Sequence, residues 1–239
     1  MKILFYDIES TPNLGYVWGR YDQTVLHFQK ERELLSFAYS YLGDSKVYCI
    51  TRKGKKDDKQ LVKIIAKLLQ EADITIAHNG DEFDRKIIKA RMLYWGMKPL
   101  KINCSVDTKK AAKSYFGFNG NSLDNICKFL GIGSKMPVPG IQLWLDCMAD
   151  KPRAWKKMIA YNIHDIVLLK EVYERLRPWI ENHPNYTKMF NPLVGDKGCP
   201  NCGSLSVQSR GLRATVKSVQ RQWNCNDCGK WYLTALSKR

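Results

Sequence analysis

The chain has 239 residues, 44% of them apolar, and its 39 Lys and Arg against 23 Asp and Glu leave a formal charge of +16. That apolar content excludes a disordered polymer, and no run approaches the ~18 consecutive apolar residues of a bilayer span. The cationic excess favours polyanionic partners, nucleic acid first among them.

The chain opens on KILFYDIES (2–10), which reads as a strand buried on both faces yet carries Asp7 and Glu9. Residues i and i+2 of a strand share a face, so two like charges lie side by side among apolar neighbours. Asp7 also breaks the run before it reaches the length of a secretory apolar core, so we expect an intracellular chain (cytoplasmic, nucleoid-associated or phage-encoded). Its eight Cys are then expected to be thiols or metal ligands.

TVLHFQ, LLSFAYSYLG and KVYCITR, rich in β-branched and aromatic residues, predict three further strands. Residues 57–72 have helical apolar spacing behind an Asp pair suited to an N-cap. DITIAHN predicts a short strand, DEFDRKIIKARMLYWG a helix closed by Gly96, and INCSVDT another strand. Helical KKAAKSYF follows, then SLDNICKFLG with Ser122 as N-cap, and the longest helix spans 154–180. Strands followed by alternating strands and helices imply an α/β domain with a mixed sheet over residues 1–181. Pro, Asn and Gly collect at 182–198, which predicts a linker. The last unit, 199–239, is too small to bury a useful core unaided.

That unit holds Cys199, Cys202, Cys225 and Cys228 as two CxxC pairs 22 residues apart. The spacing predicts a four-cysteine zinc ribbon holding one structural Zn²⁺ whose binding supplies most of the folding energy. A redox dithiol pair or disulfides are the weaker alternative in an intracellular chain. Arg210, Arg213, Lys217 and Arg221 lie near Trp223, Trp231 and Tyr232, a composition suited to phosphate contact and base stacking. The alternative is a ribbon that docks on protein. Cys49, Cys104, Cys127 and Cys147 lack ligand spacing and are expected to be buried structural thiols.

On the long helix, Lys157, His164, Glu171, Glu174 and Arg175 mark the wet face. Asp165 falls instead among Met158, Tyr161, Leu168, Leu169 and Val172. An ionised carboxylate there is costly unless paired or metal-bound, and an edge position or a basic partner would also relieve it. Asp84 follows Phe83 at a helix start, where the dipole alone welcomes an acid, and Asn79 closes the strand before it. Taken together, Asp7, Glu9, Asp84 and Asp165 read as one carboxylate pocket for two Mg²⁺ or Mn²⁺ suited to phosphodiester hydrolysis.

DIE, NGDEFD and YNIHD match in order the three motifs of the DEDD-type, DnaQ-like 3′–5′ exonucleases, and the Tyr of the third marks the DEDDy branch. Residues 1 to about 180 are similar to the proofreading domains of family B DNA polymerases, with VDTKK and NSLDNICKFLG also in familiar places. The resemblance implies an RNase H-like mixed five-stranded sheet flanked by helices, to which the ribbon is an addition. It implies that Asp7 bridges both metals, Glu9 and Asp165 complete one, Asp84 holds the other, and Tyr161 orients water. His164 receives no role. Ile8, Ser10, Asn79 and Phe83 resemble positions that touch a 3′-terminal nucleotide. The expected activity is 3′–5′ exonuclease action on DNA 3′ ends, single-stranded by preference, with replication or repair proteins as partners. The alternatives are exoribonuclease or structure-selective endonuclease action on RNA or DNA, or an adaptor with a structural exonuclease-like domain.

Overall fold

The computed structural model describes residues 2–21, 23–52, 54, 56–185, 187–188, 198–216 and 218–236. Lys217, and residues 186 and 189–197 of the expected linker, lie outside them. In chain order the strands are β1 (Ile3–Ser10), β2 (Leu14–Tyr16), β3 (His27–Lys30), β4 (Leu34–Tyr41) and β5 (Tyr48–Thr51). Then come α1 (Lys59–Glu71), β6 (Ile74–Ala77), α2 (Asp84–Tyr94), β7 (Ser105–Asp107), α3 (Thr108–Tyr115) and α4 (Leu123–Leu130). They are followed by α5 (Gln142–Met148), α6 (Pro152–Leu176), a 3-10 turn (Arg177–Trp179), β8 (Val207–Ala214), β9 (Val219–Cys225) and β10 (Trp231–Ala235).

The main sheet has the order β5-β4-β1-β6-β7, so the acid-bearing strand lies at its centre. β1 is antiparallel to β4 and parallel to β6, and β7 is parallel to β6, which makes the five-stranded sheet mixed. The alternation of β1 divides its side chains between two layers. Leu4, Tyr6 and Ile8 pack with Leu61, Ile65 and Ile88 of α1 and α2. Ile3 and Phe5 pack with Ile166, Leu169 and Tyr173 of α6. Phe5 and Tyr173 meet edge to face at 5.3 Å, and burying such a ring contributes roughly 1.5–3 kcal/mol. Asp7 and Glu9 continue the Ile3–Phe5 row, so they face α6 where the apolar packing ends. The pairing of β1 with β4 shifts register between Glu9 and Ser10, which bends the strand away just past the acids.

Several expectations change. The TVLHFQ strand shrinks to His27–Lys30 and pairs with β2 in a separate two-stranded hairpin, because its apolar residues lie at the surface instead of against the core. α5 follows the KMPVPG stretch, whose prolines hid it, and β10 adds a third strand to the C-terminal sheet. Asp58 makes no side-chain cap. Asp57 accepts the Lys59 N–H instead. The fully buried Asp58 forms a two-bond ion pair with Arg91, both bonds at 2.7 Å, and accepts from Trp95 and the Leu34 N–H. Burial opposes its charge, yet these donors hold its carboxyl below the usual range. Cys127 and Cys147 are buried as expected, whereas Cys49 and Cys104 are only half-buried.

Candidate active site

α6 brings its inward residues to the end of β1. Asp165 is buried there with Met158, Leu168, Leu169 and Val172, and Tyr161 lies one turn before it on the same face. Carboxylate oxygens of Asp7, Glu9 and Asp165 all fall within 4.8 Å of one another. Asp84, the first residue of α2, stands beside this trio and accepts the Ile8 N–H at 3.0 Å. Residues 155 positions apart thus share one pocket: Asn162 of α6 donates to Asp7 at 2.6 Å while its own carbonyl accepts from Ser36 at 2.9 Å.

Crowding and burial leave these acids short of compensation. Burial, then the charges of Asp84, Glu9 and Asp165, push the Asp7 carboxyl well above its ordinary value. Burial lifts Glu9 to about 7 against the opposing hydrogen bond from Trp144. It lifts Asp84 to about 7 as well, against the Ile8 N–H. Asp165 is also raised by burial, with Lys135 opposing. Its Oδ1 is buried with no hydrogen-bond partner, although a buried acceptor normally finds one. Oxygen donors alone, close-set and under-compensated, fit a hard divalent cation such as Mg²⁺ or Mn²⁺.

Three residues without an expected role, Lys135, Trp144 and Asn162, complete the pocket. Lys135 donates to Asp165 at 2.7 Å and to the Tyr161 hydroxyl at 3.2 Å. Burial disfavours its ammonium, but the charge of Asp165 outweighs that and raises its pKa. Lys135 lies on the loop after α4, anchored by its own N–H on Asp124, and no periodicity points to it. Trp144 of α5 donates to Glu9 at 2.9 Å and sets its ring edge-on to Tyr161. Asn162 belongs to the quoted YNIHD motif, yet only the fold shows that it reaches Asp7. Burial and the neighbouring Asp165 push the Tyr161 phenol up to about 12, so it stays a neutral hydroxyl near neutral pH.

The remaining expected site residues sit around this end of β1. Ile8 is buried and Ser10 half-buried. Asn79 has a left-handed φ of 68° and donates its N–H to Asp107 at 2.9 Å. Phe83 is exposed beside Asp84, with the Arg32 guanidinium 5.4 Å from its ring. His164 bonds to the Ser134 carbonyl at 2.9 Å. His78 sits between Thr108 and the Asn121 carbonyl, and burial lowers it to about 4, which makes it a neutral structural group.

The four C-terminal sulfurs also lie within 4.8 Å of one another, with Cys199–Cys228 and Cys202–Cys225 each at 3.6 Å. Four sulfurs about 2.3 Å from one ion would stand roughly 3.8 Å apart, so the set fits tetrahedral Zn²⁺. Each CxxC closes the same way. Gly203 donates to the Cys199 carbonyl and Gly229 to that of Cys225, at φ of 80° and 71° that a side chain would strain. Burial opposes the Cys228 thiolate, but donors led by Asn201 outweigh it and bring the thiol down to about 7. Lys230 of the C-terminal unit reaches the Ile180 carbonyl just past α6, and the Thr187 hydroxyl donates to the Cys199 carbonyl. Arg210, Arg213 and Arg221 are exposed on β8 and β9, while Trp223 is half-buried, bonded to Thr234 and stacked on Tyr232.

A family model described as the RNase_H superfamily matches residues 4–177. A PolC-type DNA polymerase III of Ureaplasma parvum is 37% identical over 71 residues, 30% of this chain and 5% of that protein. The family B DNA polymerase of the hyperthermophilic archaeon Pyrobaculum calidifontis superposes with a TM-score of 0.58 at 14% identity. That match covers 74% of this chain and 24% of the polymerase, and it speaks to the fold alone.

Proposed function

The chain belongs to the RNase H superfamily, and from that premise we propose that it is a divalent-metal-dependent 3′–5′ exonuclease. Its substrate in this reading is the 3′ end of DNA, single-stranded by preference, and its products are nucleoside 5′-monophosphates. The observation that carries the reading is the trio Asp7, Glu9 and Asp165, three inward carboxylates within 4.8 Å beside a phenol. A lapsed site would have no reason to keep them, because buried like charges destabilise the fold.

Asp7, Glu9 and Asp165 would hold one Mg²⁺ or Mn²⁺, and Asp7 with Asp84 a second. Bound there, the ions supply charge neutralisation and an acidified water for in-line attack on phosphorus. Hydrolysis there would break the phosphorus bond to the 3′ oxygen, releasing a 5′-monophosphate and leaving a strand one nucleotide shorter with a new 3′ hydroxyl. Tyr161, neutral at working pH, hydrogen-bonds the attacking water and fixes its approach. Lys135 balances Asp165 and sits where its ammonium can also meet a phosphate oxygen. Trp144 and Asn162 hold Glu9 and Asp7 in their orientations. Ile8, Ser10, Asn79 and Phe83 line the approach of the terminal nucleotide. Arg210, Arg213 and Arg221 of the Zn²⁺ ribbon add phosphate contacts remote from the chemistry.

The test is incubation of 5′-labelled single- and double-stranded DNA and RNA oligonucleotides with and without Mn²⁺. A ladder shortening one nucleotide at a time from the 3′ end of DNA, absent in Asp7→Asn, is expected. Cutting of a circular single strand, or no turnover at saturating Mn²⁺, would overturn the assignment.

A further inference from the structure

Between β1 and β4 the chain leaves the sheet as an arm, residues 11–33, built on the β2–β3 hairpin. Its base is clamped. The Thr11 N–H donates to the Glu33 carbonyl at 2.8 Å, and the Glu33 N–H to the Thr11 hydroxyl at 2.9 Å. Glu33 is further tied to Arg52 and Lys30. Beyond the clamp the described residues of the arm lie almost wholly at the surface, and their aromatic side chains point into solvent: Trp18 is 88% exposed, Tyr21 76%, and Tyr16 and Phe28 are exposed as well.

Tyr16 stacks on His27 across the hairpin, whereas Trp18 and Tyr21 project into solvent. An isolated two-stranded hairpin is marginal in water, and a concentration of exposed aromatics marks a contact surface. The arm is also continuous with the catalytic strand. Thr11 lies two residues past Glu9, a reach of about 7 Å. At the other root, Arg32 covers Phe83, the neighbour of Asp84. Rings interleaved with Arg20, His27, Lys30 and Arg32, projecting from the mouth of a carboxylate pocket, suit unpaired bases linked by phosphates.

We propose that the 11–33 arm is a stacking platform for an unpaired nucleic-acid strand, with Trp18 and Tyr21 holding bases next to those entering the acidic pocket. This rests on the nuclease reading and names the substrate class: a single strand several nucleotides long, gripped by base stacking without sequence readout. A duplex offers no free base faces to the arm.

The test compares the full chain with its Trp18→Ala/Tyr21→Ala variant and with Trp18→Phe. Two substrates are used: a single-stranded oligonucleotide of roughly a dozen residues and the p-nitrophenyl ester of thymidine 5′-monophosphate, too small to reach the arm. The double variant is expected to raise KM for the oligonucleotide about twenty-five-fold or more, since each stacked base is worth a factor of about five or more. Hydrolysis of the ester should be unchanged, which also reports an intact fold, and Trp18→Phe should keep most of the affinity. An unchanged oligonucleotide KM, or equal losses on both substrates, overturns the proposal. Fluorescence anisotropy of the labelled oligonucleotide without divalent ions separates the two readings. If the wild type cleaves neither substrate yet binds the strand through Trp18 and Tyr21, the nuclease reading fails and the platform stands. Equal binding by both proteins removes the platform whatever the activity.

Discussion

Asp84→Asn should stabilise the metal-free protein at alkaline pH. In the fold the Asp84 carboxyl is pushed up to about 7 from an ordinary 3.8, chiefly by burial. Between those values the folded chain binds a proton that the unfolded chain has released, so stability falls as pH rises through the interval. Three units correspond to about 4 kcal/mol. Asp84 is only 3% exposed, so solvent screening removes little of that. Its charge is also the largest repulsion on Asp7, and removing it relieves both groups. Asparagine keeps a carbonyl to accept the Ile8 N–H and carries no charge. Calorimetry at pH 8 without Mg²⁺ or Mn²⁺ should show Asp84→Asn melting about 10 °C above the wild type at full effect. The gap should nearly close at pH 4, just above the unfolded value, and narrow when Mn²⁺ neutralises the wild-type pocket. A gain that is absent, or equal at pH 4 and pH 8, would refute the claim that Asp84 is an under-compensated buried charge.

Trp144→Phe keeps the ring against Tyr161 but removes the donor to Glu9. Mn²⁺ affinity by titration calorimetry should fall roughly tenfold, and unchanged affinity would mean that Trp144 does not orient this carboxylate. Asp58→Ala leaves the buried Arg91 guanidinium and the Trp95 N–H without their acceptor. It should lower unfolding free energy in urea by about 3–5 kcal/mol. Because the folded Asp58 pKa is depressed, the wild type should lose this contribution as acid protonates the group, and the variant should not. Stripping Zn²⁺ with a strong chelator should expose four further thiols to an aromatic disulfide reagent, those of Cys199, Cys202, Cys225 and Cys228. Equal thiol counts before and after would mean that no metal holds them.

Much of the pocket was legible because its acids break local rules. Asp7 and Glu9 interrupt a strand that is otherwise buried, and Asp165 interrupts an apolar stripe, so periodicity alone marks each as anomalous. Asp84 was weaker, since an acid at a helix start has an ordinary explanation. Lys135 and Trp144 left no mark. One lies on a loop and the other on a seven-residue helix behind two prolines, and tertiary packing alone carries them to Asp165 and Glu9. Asp58 misled in the opposite sense. Its place before α1 suggests a cap, whereas the side chain turns inward to Arg91, 33 positions away. TVLHFQ was read as a strand like its neighbours because β-branched and aromatic residues carry the same propensity whether they face a core or solvent, and nothing marked β2, its partner in the hairpin.

Whether the carboxylate pocket holds metal is read most directly by anomalous diffraction from crystals soaked in Mn²⁺, recorded at the manganese edge. Density is expected between the carboxylates of Asp7, Glu9 and Asp165, with a second peak on the Asp84 side. Manganese bound elsewhere, with this pocket empty and Lys135 still on Asp165 at saturating ion, would contradict that expectation.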